Sequence, residues 1–136
     1  MIEKVYLDSN IFVYASTSKE SVGIKAREFL AKIKEGTVEG ITSVLSLDEV
    51  MWTLNKLAGK KTAHEIVSSL FSFPNLTLVD ATKGILASAL QIYLQEEIHP
   101  RDAIHLATMR FKNTDKIATN DSDFDRIRNI KRIRFD

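Results

Sequence analysis

The sequence predicts an α/β fold: a three-layer α/β/α sandwich around a short-stranded, mostly parallel central sheet. Three observations carry this. Short apolar, β-favouring runs are separated by amphipathic segments of helical spacing, the pattern of βαβ units. The first run, Val5-Tyr6-Leu7, is apolar throughout, as in a strand buried on both faces, and it stops abruptly at Asp8-Ser9-Asn10. Hydrophobic residues make up 44% of 136 residues, enough for one continuous core. No repeat, low-complexity tract or Gly/Pro-rich linker divides the chain, so residues 1–136 read as a single domain.

In order, Ile2 to Leu7 is the first strand and Ile11 to Ala15 a short helical turn, followed by a polar loop at Ser16-Thr17-Ser18. Ser21 is placed to cap a helix from Val22 to Glu35, with Ile24, Phe29, Leu30 and Ile33 on one stripe and Gly36 as its stop. Val38 to Thr42 forms a second strand, weakened by Gly40. Leu47, Val50, Met51, Leu54 and Leu57 mark a helix over 45–57, ended by Gly59; Thr62 caps another that reaches about Phe71. Phe73-Pro74-Asn75 breaks the chain before a strand at Leu76 to Val79. An apolar helix spans Asp80 to Gln95, with Ile85, Leu86, Leu90 and Leu94. Pro100 suits the first position of the next helix. Lys116 to Thr119 is a short strand, Asn120 to Asp125 an acidic loop, and Arg132 to Phe135 a last edge strand.

The absence of Cys excludes disulfides, thiolate metal sites and a cysteine nucleophile, and fits a reducing cytoplasm. No signal-peptide pattern opens the sequence and no apolar run reaches membrane-spanning length. Formal net charge is +1, but residues 1–100 carry −2 and residues 101–136 carry +3. An acidic centre with a basic margin suits a metal site that works on a polyanion; a solvated, charge-studded surface gives the same count. No glycine-rich phosphate loop is present, against the nucleotide-hydrolysing α/β classes.

Carboxylates recur at element starts and strand ends. Asp8 follows the first strand and Glu49 lies early in the helix after the second. Asp102 lies in the first turn after Pro100, and Asp121, Asp123 and Asp125 follow the Ile117-Ala118-Thr119 strand. In a parallel sheet, strand ends and the helix starts that follow them share one side. That gathers Asp8, Glu49 and Asp121; Asp102 follows a helix-to-helix connection and spacing does not place it. Each acid also has a local reading. Asp8 caps a helix. Glu49 completes the capping box Ser46-Leu47-Asp48-Glu49. Asp102 complements a helix dipole, and the late acids form an Asx-rich turn. Taken together, gathered carboxylates repel unless a cation or protons intervene. Oxygen ligands without Cys, and with His64, His99 and His105 scattered, indicate Mg²⁺ or Mn²⁺ rather than Zn²⁺. Such a site activates water and holds a phosphodiester for in-line attack.

The order and spacing of four marks resemble the PIN domain, the fold of many metal-dependent ribonucleases including VapC-type toxins. They are Tyr6-Leu7-Asp8-Ser9-Asn10, Thr42-Ser43 with Leu47-Asp48-Glu49-Val50, Arg101-Asp102-Ala103-Ile104-His105-Leu106-Ala107, and Ala118-Thr119-Asn120-Asp121-Ser122-Asp123-Phe124-Asp125-Arg126. The resemblance runs nearly end to end. It implies that Asp8 and Asp102 are the main metal ligands, that Glu49 positions water or a second metal, and that Asp121 completes the set with Asp123 as its alternative. Ser9, Asn10 and Thr119 would orient the acids. The expected activity is metal-dependent endoribonuclease cleavage of RNA, as the toxin of a toxin–antitoxin pair. The expected partners are an RNA substrate, a small antitoxin protein and a second copy of the chain. A non-toxin RNA-processing nuclease and a catalytically silent RNA-binding or scaffold module are the alternatives.

Arg101, Lys56, Lys60 and Arg126 are the candidate phosphate contacts. Arg128, Lys131, Arg132 and Arg134 read equally as an edge strand protected by charge. Trp52, on an apolar helical face, reads as core or dimer packing, and His105 as a packed or hydrogen-bonded residue.

Overall fold

The computed structural model describes residues 2–136. Among them, five strands and six helices run in the order β1 (Glu3–Leu7), α1 (Ser9–Thr17), α2 (Ser21–Glu35), β2 (Val38–Ser43), α3 (Val44–Ala58), α4 (Lys60–Leu70), β3 (Leu76–Val79), α5 (Lys83–Gln95), α6 (Pro100–Phe111), β4 (Lys116–Ala118) and β5 (Lys131–Ile133). A short 3₁₀ turn, Ser122–Arg126, lies between the last two strands. The sheet order is β3-β2-β1-β4-β5, and every neighbouring pair is parallel.

The chain steps outward from β1 to β2 and β3, then crosses back to β4 and β5 on the other side of β1. Right-handed connections that travel in opposite directions place their helices on opposite faces. Accordingly Val5 and Leu7 pack with Phe12, Ile33, Val50 and Leu54 from α1, α2 and α3. Tyr6, Ile41 and Ile117 pack with Ile92, Leu106 and Met109 from α5 and α6. Val5, Tyr6 and Leu7 are each 0% exposed, so the carboxyl-terminal part of β1 is apolar because both of its faces are covered, while Glu3 and Lys4 at its start are exposed.

Several boundaries differ from the sequence expectation for local reasons. Asp8 caps α1, so the helix starts at Ser9. Ser16 and Thr17, expected in a loop, stay helical and donate to the Phe12 and Val13 carbonyls at 2.8 Å. Ser21 lies inside α2, whose cap residue is Glu20, and α4 starts at Lys60, before Thr62. β2 runs straight into α3, so Ser43 is the cap, accepting from Leu45 N at 3.0 Å. Ser46 is therefore a buried residue within the helix and forms no capping box with Glu49. Thr82 caps α5, which shortens that helix, and the edge strand falls at Lys131–Ile133.

Gly40 pairs with Val5 and Leu76 in mid-sheet. A Cβ there would meet Ile33 Cδ1 and Leu76 Cδ1 at 3.0 Å, so its bare backbone gives α2 room to lie on the sheet. At the α1–α2 corner, a Cβ on Gly23 would come within 2.1 Å of the Ser18 carbonyl oxygen. Arg27 closes the same corner by donating to the Ala15 and Ser18 carbonyls.

The apolar positions did not all turn inward. Ile24, Met51, Trp52, Leu57, Phe71, Leu86, Leu90, Tyr93 and Leu94 are exposed, Leu94 by 81%. Small residues replace some of them at the helix contacts: Gly23 and Ala26 in α2, Ala89 in α5. Among the described residues, no helix is long and apolar enough to cross a membrane.

Candidate metal centre

The strand order reverses between β1 and β4, the place where open parallel sheets bind ligands beyond their carboxyl ends. Asp8 directly follows β1 there and Thr119 directly follows β4. The Asp8 N–H donates to the Ala118 carbonyl at 3.0 Å, stitching the two ends together.

Asp8 is both the helix cap and a member of the acid cluster. Its Oδ1 accepts from Ser9 N at 2.7 Å, and the Ser9 hydroxyl lies 3.4 Å away. Its Oδ2 accepts from the Thr119 hydroxyl at 2.7 Å. Thr119 Oγ1 in turn accepts from Asn10 Nδ2 at 3.2 Å and from the Asp121 N–H at 3.0 Å. Asn10 Oδ1 accepts from Asn120 N at 3.4 Å, and Asp121 Oδ1 accepts from Asp123 N at 2.9 Å. The acidic loop is thus turned by its own Asx geometry and tied to β1 through one hydroxyl. From behind, Arg132 grips Asp125 with two bonds of 2.8 and 2.9 Å and donates to the Thr119 carbonyl at 3.3 Å.

Glu49 enters from α3. Its Oε1 lies 2.9 Å from His105 Nε2 on α6. His105 Nδ1 lies 2.6 Å from the Tyr6 hydroxyl, which lies 3.4 Å from Ser46 Oγ. Burial alone would lower the imidazole pKa. The hydrogen bond to Glu49 and the charges of Asp8, Glu49 and Asp102 outweigh it and hold the ring above its ordinary value. Burial also lifts the Tyr6 phenol well above its usual range, opposed in part by the Ser46 hydrogen bond.

One ligand atom each from Asp8, Glu49 and His105 lie within 4.8 Å of one another, and so do one each from Asp102, Asp121 and Asp123. The two triads are electrostatically joined. Burial raises the Asp102 pKa to about 6, with Asp121 next and Asp8 adding to it, against the favourable influence of His105 and His99. A half-buried carboxylate raised first by burial and then by neighbouring carboxylates is a candidate functional group. Five oxygen-donor side chains, Asp8, Glu49, Asp102, Asp121 and Asp123, fit a hard divalent cation such as Mg²⁺ or Mn²⁺.

Of the six acids singled out in the sequence, Asp8 and Glu49 thus group with His105, while Asp102, delivered by α6, groups with Asp121 and Asp123; Ser9, Asn10 and Thr119 bond around Asp8, and Asp125 is held by Arg132. Arg101 and Arg126 flank the cluster. Arg101 Nη1 lies 4.0 Å from Glu49 Oε2, and Arg126 Nη2 lies 3.3 Å from Asp123 Oδ1. Lys56 and Lys60 are placed elsewhere: Lys56 Nζ sits 4.6 Å above the Trp52 ring, and Lys60 lines a hollow with Met51, Trp52 and His64. Tyr6 and Ser46 stand in the sequence as a strand residue beside Asp8 and a capping candidate for Glu49, with no sign that they bond to each other or, through Tyr6, to His105. Their hydrogen bonds to one another and to His105 span 40 and 99 positions, and no local pattern announces them.

A family model described as PIN domain matches residues 5–130. The chain is 25% identical over 138 residues to ribonuclease VapC2 of Methanocaldococcus jannaschii, covering 91% of this chain and 89% of that one. Its fold is similar to that of the crystal structure of VapC20 from Mycobacterium tuberculosis, a toxin that cleaves the sarcin-ricin loop. The TM-score is 0.74 at 18% identity, over 89% of this chain and 92% of that chain. It is also similar to a chain of a toxin–antitoxin complex from Klebsiella pneumoniae, with TM-score 0.67 and 18% identity over 93% and 94% of the two chains.

Proposed function

The chain belongs to the PIN domain family, and from that membership we propose that it is a metal-dependent endoribonuclease that hydrolyses RNA phosphodiester bonds as the toxin of a toxin–antitoxin pair. The observation that carries this reading is the pair of acidic groups, Asp8 and Glu49 with His105 and Asp102 with Asp121 and Asp123, drawn from separate parts of the chain, with Asp8 at the β1/β4 switch point. The whole chain acts as one nuclease domain in this proposal.

Asp8 and Asp102 would be the principal ligands of Mg²⁺ or Mn²⁺, with Glu49, Asp121 and Asp123 completing the set. When bound, the ion supplies activation of water and neutralisation of charge building on the scissile phosphate. The protein's part is arrangement. Thr119 and Ser9 fix both oxygens of Asp8, and Asn10 braces Thr119. Arg101 and Arg126, both largely exposed, are positioned to engage neighbouring phosphates and hold the strand over the acids.

The relatives that are ribonucleases and toxins support the substrate and the toxin role, and the solved toxin–antitoxin complex supports a small antitoxin partner. The exposed apolar side chains of α3 and α5 support a homodimer.

The test is incubation of the purified chain with structured RNAs in Mn²⁺, Mg²⁺ or EDTA, beside Asp8→Asn. Asp8→Asn removes ligand charge with little change in volume. It should abolish metal-dependent cleavage while keeping the fold; cutting at the wild-type rate would refute the mechanism. Co-purification with a small protein encoded next door tests the antitoxin.

A further inference from the structure

Behind Glu49, a chain of buried polar groups runs through His105 and Tyr6 to Ser46, and these three have no place in the reading above. His105 is 1% exposed and Tyr6 0%. Both imidazole nitrogens are engaged: Nε2 with Glu49 Oε1 at 2.9 Å, and Nδ1 with the Tyr6 hydroxyl at 2.6 Å. The two rings also pack, with centroids 5.5 Å apart and planes at 60°. The Tyr6 hydroxyl meets Ser46 Oγ at 3.4 Å. Ser46 lies three residues before Glu49 on the same helix, so the contacts close a circuit that starts and ends on α3.

A carboxylate can only accept. The His105 Nε2 must therefore carry a proton to bond Glu49, whether the ring is neutral or cationic, and it has no lone pair there for an ion. Glu49 is a long side chain, 19% exposed, with several rotamers open to it. One bond to a ring held on its far side removes most of that freedom.

We infer that His105 is a positioning residue for this nuclease: it fixes Oε1 of Glu49 and so presents Oε2 to the metal, while Tyr6 and Ser46 lock the ring. The inference rests on the nuclease reading, from which Glu49 takes its role. No binding, catalytic or metal role for His105 was expected from the sequence.

The experiment is Mn²⁺ binding by calorimetry, with nitrogen NMR and pulsed electron paramagnetic resonance on the full chain. His105→Leu should weaken Mn²⁺ binding by about 10–100-fold, the usual consequence of removing a group that orients a ligand. His105→Gln, whose amide nitrogen reaches the Nε2 position, should restore most of it. In a Glu49→Gln background, His105→Leu should cause no further loss, because the effect passes through Glu49. Wild-type affinity in His105→Leu overturns the inference, as does an equal further loss in the Glu49→Gln background. So does a nitrogen coupling to Mn²⁺ in the wild type, which would make His105 a ligand. Should His105→Leu fail to fold, the wild-type spectrum decides: a protonated Nε2 supports the inference and a bare Nε2 overturns it. If the wild type binds no Mn²⁺, or Asp8→Asn binds it unchanged, the nuclease reading itself fails and this inference falls with it. If those two controls behave, failure of the His105 arms removes this inference alone.

Discussion

The Thr119 hydroxyl donates to Asp8 Oδ2 at 2.7 Å and links the carboxyl end of β4 to the carboxyl end of β1. The same oxygen accepts from Asn10 and from the Asp121 N–H, so one buried atom sets the relation between the first acid and the last. Thr119→Val keeps the shape and removes that atom. Metal affinity or activity should fall about 10–100-fold, as for other groups that orient ligands, and Thr119→Ser should spare most of it. Paired calorimetry and cleavage assays on the two variants check this; a Val variant indistinguishable from wild type would show that Asp8 needs no such support.

Asp102 gives the site a pH dependence. Its folded-state pKa of about 6 lies above the ordinary 3.8. The metal-free native state therefore holds this proton more tightly than the unfolded chain does. Through this group, the stability of the metal-free fold falls as pH rises through that interval. Metal must displace the same proton, so apparent Mn²⁺ affinity should weaken by about tenfold for each pH unit below the Asp102 pKa. The rise in Tm on adding Mn²⁺ should be larger at pH 7.5 than at pH 5. A metal-induced shift that does not change with pH would contradict this.

Gly23 separates fold from site. Gly23→Ala places a methyl against the Ser18 carbonyl, a backbone atom that cannot swing away. Overpacking of this kind costs about 1–3 kcal/mol. Urea unfolding should show that loss, while below the midpoint the variant keeps its metal dependence. Unchanged stability would mean that the α1–α2 corner yields more easily than its geometry implies.

The exposed face of α5 bears on association. Leu86, Leu90, Tyr93 and Leu94 recur at helical spacing and are at least half exposed. Leu90→Glu should convert the proposed dimer to monomer in sedimentation equilibrium without altering the circular dichroism spectrum. A variant that stays dimeric would move the interface to another face.

The sheet and most helices were legible because their signals are local: the apolar runs of β1 and β3, Pro100 at the start of α6, Gly36 after α2. Asp8 was legible as either a cap or a ligand; the structure makes it the cap and sets it among the acids, since a cap at a strand end already faces the binding side. The Ser46 capping box was misleading because Ser43, at the very end of β2, takes the capping position first. Spacing found the apolar positions Met51, Leu57, Leu90 and Leu94 but could not say what covers them. The role of His105 depended on Tyr6 and Glu49, 99 and 56 positions away, a relation that exists only after folding.

The order in which the acids occur along the chain, 8, 49, 102, 121 and 123, has a consequence for biosynthesis. Because β4 must slot beside β1 before Thr119 can reach Asp8, a growing polypeptide carries fragments of the centre but no finished one. The acid set stays incomplete until Asp121 and Asp123 have cleared the exit tunnel. The centre is therefore a product of the finished fold and has no counterpart in any shorter stretch of the chain.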